Sequence, residues 1–202
     1  MKIIFATGNK GKIKEIRQIL ADFDAEVIPM SEAGVDIDIE ENGTTYEENA
    51  IIKAKAVAEI TGCLTLADDS GIEIDYLNKE PGIHSARYLG HDTSYDVKNR
   101  DFLRRLEGVP DELRTARFVC AIAACFPDGT IETTRATMEG RIAKEIAGAN
   151  GFGFDPIFYL PDRGCTSAEI SEEEKNEISH RGKALRLMRD RLIEIGTLKD
   201  NK

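Results

Sequence analysis

Residues 7–12, Thr-Gly-Asn-Lys-Gly-Lys, follow an apolar run at 2–6 and precede a segment in which Ile13, Ile16 and Leu20 recur at helical spacing. Glycines let backbone amides approach an anion, and a helix N-terminus adds amide donors and a positive dipole end. The spacing matches neither a P-loop nor a GxGxxG fingerprint. The stretch predicts a phosphate cradle, and a solvated lysine-rich turn is the alternative. The candidate residues are Thr7, Gly8, Asn9, Lys10, Gly11 and Lys12.

Two adjacent carboxylates, Asp68 and Asp69, follow a short apolar stretch that starts at Leu64. Ligands of α/β sheets gather beyond strand ends, where a carboxylate can hold Mg²⁺ or deprotonate water. Successive strand residues face opposite sides, so we expect one of the two to be catalytic and the other structural. We also expect a turn at 69–71 between two separate strands. An Asx turn made by these side chains is the alternative to a catalytic role.

A charged segment at 169–183 contains Lys175, His180 and Arg181, which could reach one cleft from a single helix. The pattern predicts that helix over 172–195, with a buried side made by Ile178, Leu185, Met188 and Leu192. A charged surface helix with a structural histidine is the alternative. Lys53, on a helix that follows an acidic loop, is a further candidate, and an exposed solubilising lysine is its alternative reading.

The net charge of −10 has a local origin. Of the 37 acidic residues, ten lie between Asp22 and Glu48, where there is no Lys or Arg, so the other 27 match the 27 basic residues of the chain. Polymeric nucleic acids and anionic membranes are bound mainly through positive charge. We therefore expect neither as a partner. An anionic ligand must be held by a local basic site or a metal.

We expect a cytoplasmic location. The start of the chain lacks a signal-peptide core, and the longest uncharged apolar run, 118–126, is too short to span a bilayer. The four cysteines form no CxxC pair, and no two histidines stand at metal-ligand spacing. We interpret the cysteines as reduced thiols, mostly in the core.

The remaining patterns predict the elements that must position these residues. Strands are expected at 2–6 and 25–28. One helix is expected from the face made by Tyr46, Ala50, Ala54, Val57 and Ala58, and another at about 94–106. A capping box of Thr44 or Thr45 with Glu47 or Glu48 opens the first of these helices, and Gly62 ends it. Pro127-Asp128-Gly129 joins two β-like runs in a hairpin. The order favours one α/β domain over residues 1–202, with a mixed sheet.

Taken in order, six motifs between residue 1 and about residue 187 resemble the inosine/xanthosine triphosphate pyrophosphatase family. They are TGNKGKIKE, EENGTTYEENAIIKA, ADDSGIEID, PGIHSARY, GFGFDPIF and EISEEEKNEISHRGKA. The resemblance implies an elongated mixed β-sheet with flanking helices that form two lobes around a nucleotide cleft, in a homodimer. It also implies Mg²⁺-dependent hydrolysis of dITP, ITP and XTP to the monophosphate and pyrophosphate.

The same resemblance implies roles for individual residues. Asp69 is the expected proton acceptor and a metal ligand, and Glu40 is the expected second metal carboxylate. The cradle at 7–12 would wrap the triphosphate, Lys53 would neutralise phosphate charge, and Ser70 would contact the substrate. The segment Phe152, Gly153, Phe154 and Asp155 would lie along the nucleoside, with Phe152 or Phe154 as a stacking face.

Lys175, His180 and Arg181 match the family residues that donate hydrogen bonds to the base. An array of donors favours the 6-keto group of hypoxanthine and xanthine over the 6-amino group of adenine. Guanine also has a 6-keto group, and neither the rejection of GTP nor the order of preference among dITP, ITP and XTP follows from the sequence. A non-catalytic nucleotide sensor is the main alternative function, although binding alone needs no base. A phosphatase that releases orthophosphate is a weaker one.

Overall fold

The structure, a computed structural model, describes residues 1–199. Within that range the chain forms eight strands and five α-helices. They are β1 (Lys2–Phe5), α1 (Lys10–Ile19), β2 (Glu26–Pro29), α2 (Tyr46–Thr61), β3 (Thr65–Ile74), β4 (Glu80–Pro81), α3 (Tyr95–Arg105), β5 (Thr115–Cys125), β6 (Ile131–Ile142), β7 (Phe158–Leu160), β8 (Cys165–Thr166), α4 (Glu172–Ile178) and α5 (His180–Glu194). The elements group into two compact units.

The first unit contains Met1–Asp69, Cys120–Ala136 and the chain from His180 onward. Its strands follow the order β2-β1-β3-β5-β6, and β1 is parallel to both β2 and β3. Because side chains alternate along a strand, β1 places Ile3 and Phe5 in a core with α1 and α5. It places Ile4 in a second core with α2, which Ala6, just after the strand, also joins. The sheet of this unit is therefore covered by helices on both faces.

The second unit contains Ser70–Val119 and Thr137–Ser179. Here β3 pairs antiparallel with β4, and β7 pairs antiparallel with β6 and β8. Phe102 and Leu106 at the end of α3 are fully buried in its core.

The predicted hairpin is confirmed, since hydrogen bonds join Phe126 to Thr130 beside the turn and Arg114 to Ile142 at the far ends of β5 and β6.

The predicted end of α2 at Gly62 is confirmed, and of the predicted capping box the Thr45 half forms, while the Glu48 carboxylate accepts from Thr44. Asn9 caps α1, and the Thr45 hydroxyl accepts a hydrogen bond from the Glu48 amide at the start of α2. Gly62 ends α2 in the left-handed conformation, with φ of 62°, and Ser94 caps α3. Short polar side chains accept from the free amides of a first turn, and glycine adopts the left-handed conformation after a last turn. Both kinds of residue can be recognised in a sequence.

Two predictions about elements are wrong. The expected turn at 69–71 does not form, because β3 runs without interruption from Thr65 to Ile74. Its carboxylates bind side chains distant in sequence, so they do not compete for the local backbone as an Asx turn requires. The single helix expected over 172–195 is two helices, separated at Ser179, whose ψ of 152° is extended. Neither Pro nor Gly marks that break, so the periodicity runs across it.

The mixed α/β class expected from the order of elements is confirmed. The assignment of residues 1–202 to one two-lobed domain stays a prediction, and its last three residues lie outside the described part. Among residues 1–199 no helix is both long and apolar enough to cross a membrane. The four cysteines, all within that range, are free thiols, and Cys120 and Cys125 are buried.

Candidate active site

Asp68 and Asp69 point to opposite faces of β3. Both are buried, with exposed fractions of 1% and 7%. Asp68 shares its face with Leu66, which lies in the core with α1 and α5, and Asp69 shares its face with Ala67, which lies in the core with α2. Strand alternation thus gives the two neighbouring carboxylates different hydrogen-bond partners, although the charge of Lys53 acts on both. The predicted separation of their environments is confirmed.

On the α1 and α5 side, Asp68 accepts from two cations. Lys12 Nζ lies 2.8 Å from Asp68 Oδ2, and Arg181 Nε lies 3.2 Å from the same oxygen. Arg181 also donates from Nη1 to Glu15 Oε2 on α1 at 2.9 Å. Burial by itself would raise the pKa of Asp68, but Lys12 and Arg181 lower it well below its usual range. Asp68 is therefore ionised at neutral pH and anchors two of the predicted site residues.

On the α2 side, Asp69 faces a weaker set of partners. Asn49 Nδ2 donates to Asp69 Oδ2 at 3.2 Å, and Lys53 Nζ lies 3.7 Å from Asp69 Oδ1. Burial raises the pKa of Asp69 to about 6; Lys53 opposes this shift, and the charge of Glu41 adds to it. A pKa near the working pH suits a general base.

Lys53 connects the acidic loop to this carboxyl. Its ammonium lies 2.9 Å from Glu41 Oε2, and although burial acts to lower the pKa of Lys53, the charges of Asp69, Asp68 and Glu41 raise it. Asn49, which is fully buried, accepts from the Gly43 amide at 2.8 Å and so ties the same loop to Asp69. Glu41 and Asn49 were missed from the sequence. The spacing of four residues between Asn49 and Lys53 on one helix face could have revealed Asn49.

The predicted phosphate cradle leads directly into α1, which begins at Lys10. The Thr7 hydroxyl accepts from the Asn9 amide at 3.2 Å. Asn9 Oδ1 accepts from the Gly11 and Lys12 amides at 2.9 and 3.3 Å, so the cap itself engages two of the donors expected to face phosphate. Among residues 1–199, no atom outside Gly8 and its two chain neighbours lies within 4 Å of a Cβ placed on Gly8. The backbone there is open to close approach.

The segment 152–155 and Lys175 belong to the second unit. Asp155 is 2% exposed, and its carboxylate accepts from the Phe152 amide at 2.8 Å, from the Ser167 hydroxyl at 2.8 Å and from the Lys175 ammonium. The Lys175 Nζ also lies 4.8 Å from the centre of the Phe152 ring. Asp155 thus fixes both the start of the segment and the lysine.

The two phenyl rings of this segment differ in exposure. Phe152 is 41% exposed, whereas Phe154 is 4% exposed and packs edge-on against Phe102. A ring that stacks on a ligand must present a face to it, so Phe152 is the better candidate of the two.

The predicted site residues fall into two sets. The first unit holds the cradle at 7–12, Glu40, Lys53, Asp69, His180 and Arg181, and the second holds Ser70, the segment 152–155 and Lys175. His180 and Arg181, 6% and 4% exposed, open α5. Ser70 is partly buried in the middle of β3.

Known proteins match this chain over most of its length. The model of the Ham1 family matches residues 3–191. This chain belongs to the Ham1 family. It is 48% identical over 186 residues to the dITP/XTP pyrophosphatase of Desulforamulus reducens, with 92% of each protein covered. It is 46% identical over 197 residues to the dITP/XTP pyrophosphatase of Listeria monocytogenes, with 96% of each covered.

Solved structures of the Ham1 family agree with the fold. The HAM1 protein of Coxiella burnetii gives a TM-score of 0.89 at 42% identity, over 96% of this chain and 99% of that one. The Ham1 protein of Staphylococcus aureus gives a TM-score of 0.88 at 42% identity, over 96% of this chain and all of that one. These matches confirm the family that the six motifs resemble.

Proposed function

We propose that this chain hydrolyses dITP, ITP and XTP to the nucleoside monophosphate and pyrophosphate. The substrate class follows from relatives that bear the name dITP/XTP pyrophosphatase and match nearly the whole chain. The observation that carries the chemistry is Asp69, a carboxyl that is 7% exposed, has a pKa of about 6 and lies beside Lys53.

In the proposed reaction, Asp69 takes a proton from a water molecule as the water oxygen attacks the α-phosphorus. The bond from the α-phosphorus to the bridging oxygen breaks, and pyrophosphate leaves with that oxygen. A base with a pKa near the working pH combines a useful ionised fraction with proton affinity. Lys53 and the lysines of the cradle at 7–12 offset the negative charge of the phosphates.

The residues present fit a magnesium ion. Burial and the charge of Glu41 make ionised Asp69 unfavourable, and a divalent cation at the carboxyl would offset that cost. Mg²⁺ takes one or two protein carboxylates and completes its shell with phosphate oxygens and water. We propose Asp69 and Glu40 as its ligands; the ion would neutralise phosphate charge.

For the base, we propose that Phe152 stacks on the purine and that Lys175, His180 and Arg181 donate to its 6-keto group. Phe152 is exposed while Phe154 is not, which supports the first assignment. Cytoplasmic location and a homodimer belong to the same proposal, and light scattering on the purified protein tests the dimer.

Pyrophosphate release measured with dITP, XTP, dATP and GTP in the presence of Mg²⁺ tests the function. We expect turnover of dITP and XTP, and little of dATP. A protein that binds these nucleotides without turnover would be a sensor, which would contradict the proposal. Release of orthophosphate without added inorganic pyrophosphatase would indicate a phosphatase instead.

A further inference from the structure

Helix α3 contacts the segment 152–155 through the buried Phe102 and through two side chains one turn apart nearer its start, Tyr95 and Asn99. Neither residue belongs to the candidate site as the sequence defines it. Residues four positions apart on a helix share a face. This face of α3 is therefore directed at the backbone that carries Phe152.

Asn99 holds the backbone of the segment. The side chain is 3% exposed, and its Nδ2 donates to the Gly153 carbonyl at 3.1 Å. Among residues 1–199, Asn99 Oδ1 is buried with no hydrogen-bond partner. A buried amide oxygen without a partner costs stability. The hydrogen bond from Nδ2 to the Gly153 carbonyl is therefore the contact that orients this amide. Gly153 has a φ of +69°, so its carbonyl direction depends on a conformation that side chains other than glycine rarely allow.

Tyr95 packs against Gly153 and Phe154 of the same segment. Its ring lies edge-on to Phe154, with centroids 5.1 Å apart, and a Cβ on Gly153 would lie 3.6 Å from a ring carbon. The Lys98 ammonium lies 4.8 Å from the Tyr95 ring centre and donates to the Ala86 carbonyl at 2.7 Å. The ring is thus held in place, although 38% of the residue stays exposed.

The segment is fixed from two sides. Asp155 binds the Phe152 amide and the Lys175 ammonium, while α3 holds Gly153 and packs on Phe154. Phe152 is 41% exposed, so its orientation depends on the backbone at Gly153 as well as on the contact of its ring with Lys175.

We propose that Tyr95 and Asn99 are positioning residues for nucleoside recognition: they fix Gly153 and thereby aim Phe152 at the purine. This inference rests on the proposed function, in which the segment 152–155 lies along the nucleoside. The two residues bear on affinity for the nucleoside and leave the binding of phosphates unaffected.

Steady-state kinetics with dITP, and competitive inhibition by inorganic triphosphate, test the proposal in Asn99→Ala, Tyr95→Ala and Tyr95→Phe. Arg100→Ala is the matched control, because Arg100 lies on α3 but pairs with Asp96 at the exposed surface. We expect Asn99→Ala and Tyr95→Ala to raise KM for dITP about fivefold, as loss of one hydrogen bond or ring contact would. The kcat and the inhibition constant of triphosphate stay near wild-type values, and Tyr95→Phe and Arg100→Ala match the wild type.

A wild-type KM in both alanine variants would overturn the inference while leaving the proposed function intact. A rise in KM matched by an equal rise in the triphosphate inhibition constant, with a lower Tm, would also overturn it, since that pattern indicates general loss of structure. A wild-type protein that does not hydrolyse dITP would overturn the proposed function, and the inference with it.

Discussion

Replacing Asp69 by Asn should stabilise the metal-free protein above about pH 6 while it removes turnover. The side chain has an ordinary pKa of 3.8, and burial raises the pKa of Asp69 in the fold to about 6. A difference of about two pH units corresponds to about 3 kcal/mol. This free energy is the cost of holding a buried carboxylate in its ionised form.

The sign of the effect follows from proton binding. Below pH 3.8 both the folded and the unfolded chain carry a protonated Asp69, so the residue contributes nothing to the pH dependence. Between 3.8 and about 6 the unfolded chain loses the proton first, so the free energy of unfolding falls as pH rises. Above about 6 the full cost is present. Asn cannot ionise, so Asp69→Asn escapes this cost and keeps an oxygen for Asn49.

Urea unfolding of the wild type and Asp69→Asn, in EDTA at about pH 4 and about pH 8, measures the difference. We expect a gain of up to about 3 kcal/mol at the higher pH and almost none at the lower. Turnover of dITP should fall about a hundredfold or more. A variant no more stable than the wild type at the higher pH, or equally stabilised at both, would refute the reasoning.

Asp68→Asn is the matched control, because the neighbouring carboxylate has the opposite environment. The pKa of Asp68 is lowered despite burial, by Lys12 and Arg181, so its ionised form stabilises the fold above its ordinary value of 3.8. That stability is lost as pH falls toward the lower folded-state pKa. Removing the charge leaves two cations short of a partner and should cost about 3 kcal/mol or more at neutral pH.

Three further predictions concern single side chains. Lys53→Met should slow pyrophosphate release about tenfold or more. Lys55→Met, at an exposed position of the same helix, should not slow it, and equal rates in the two variants would show that Lys53 has no role in the site. Gly148→Ala should lower Tm more than Gly108→Ala. Both glycines have a positive φ, but of the two only Gly148 would bring its added Cβ against a carbonyl, that of Ala168, so equal losses of Tm would contradict the clash. Thr45→Ala should cost about 1 kcal/mol in urea unfolding, because it removes the cap of α2, and Glu59→Ala near the far end of that helix should cost little.

Part of the fold could be read from the sequence because its signals are local. Asn9, Thr45, Ser94 and Gly62 announce helix ends through hydrogen bonds to atoms a few residues away. The alternation along β3 likewise required Asp68 and Asp69 to face opposite sides. The break at Ser179 could not be predicted in this way. Ile178 packs in the core of the second unit and Leu185 in that of the first, so two separate cores receive one apolar pattern. The spacing of apolar residues along a helix does not show which core they pack in.

By itself, the sequence determined the family through six ordered motifs, the α/β class, most helix ends and the residues available for chemistry. Only the tertiary structure decided which of the two carboxylates is held by cations and which is the candidate base. Asp68 binds Arg181, 113 residues away, while Asp69 lies beside Asn49 and Lys53 on α2. It also decided that Phe152 is exposed while Phe154 is buried. Burial and the charges that surround a side chain come from distant segments, and these set its pKa and its access to a ligand.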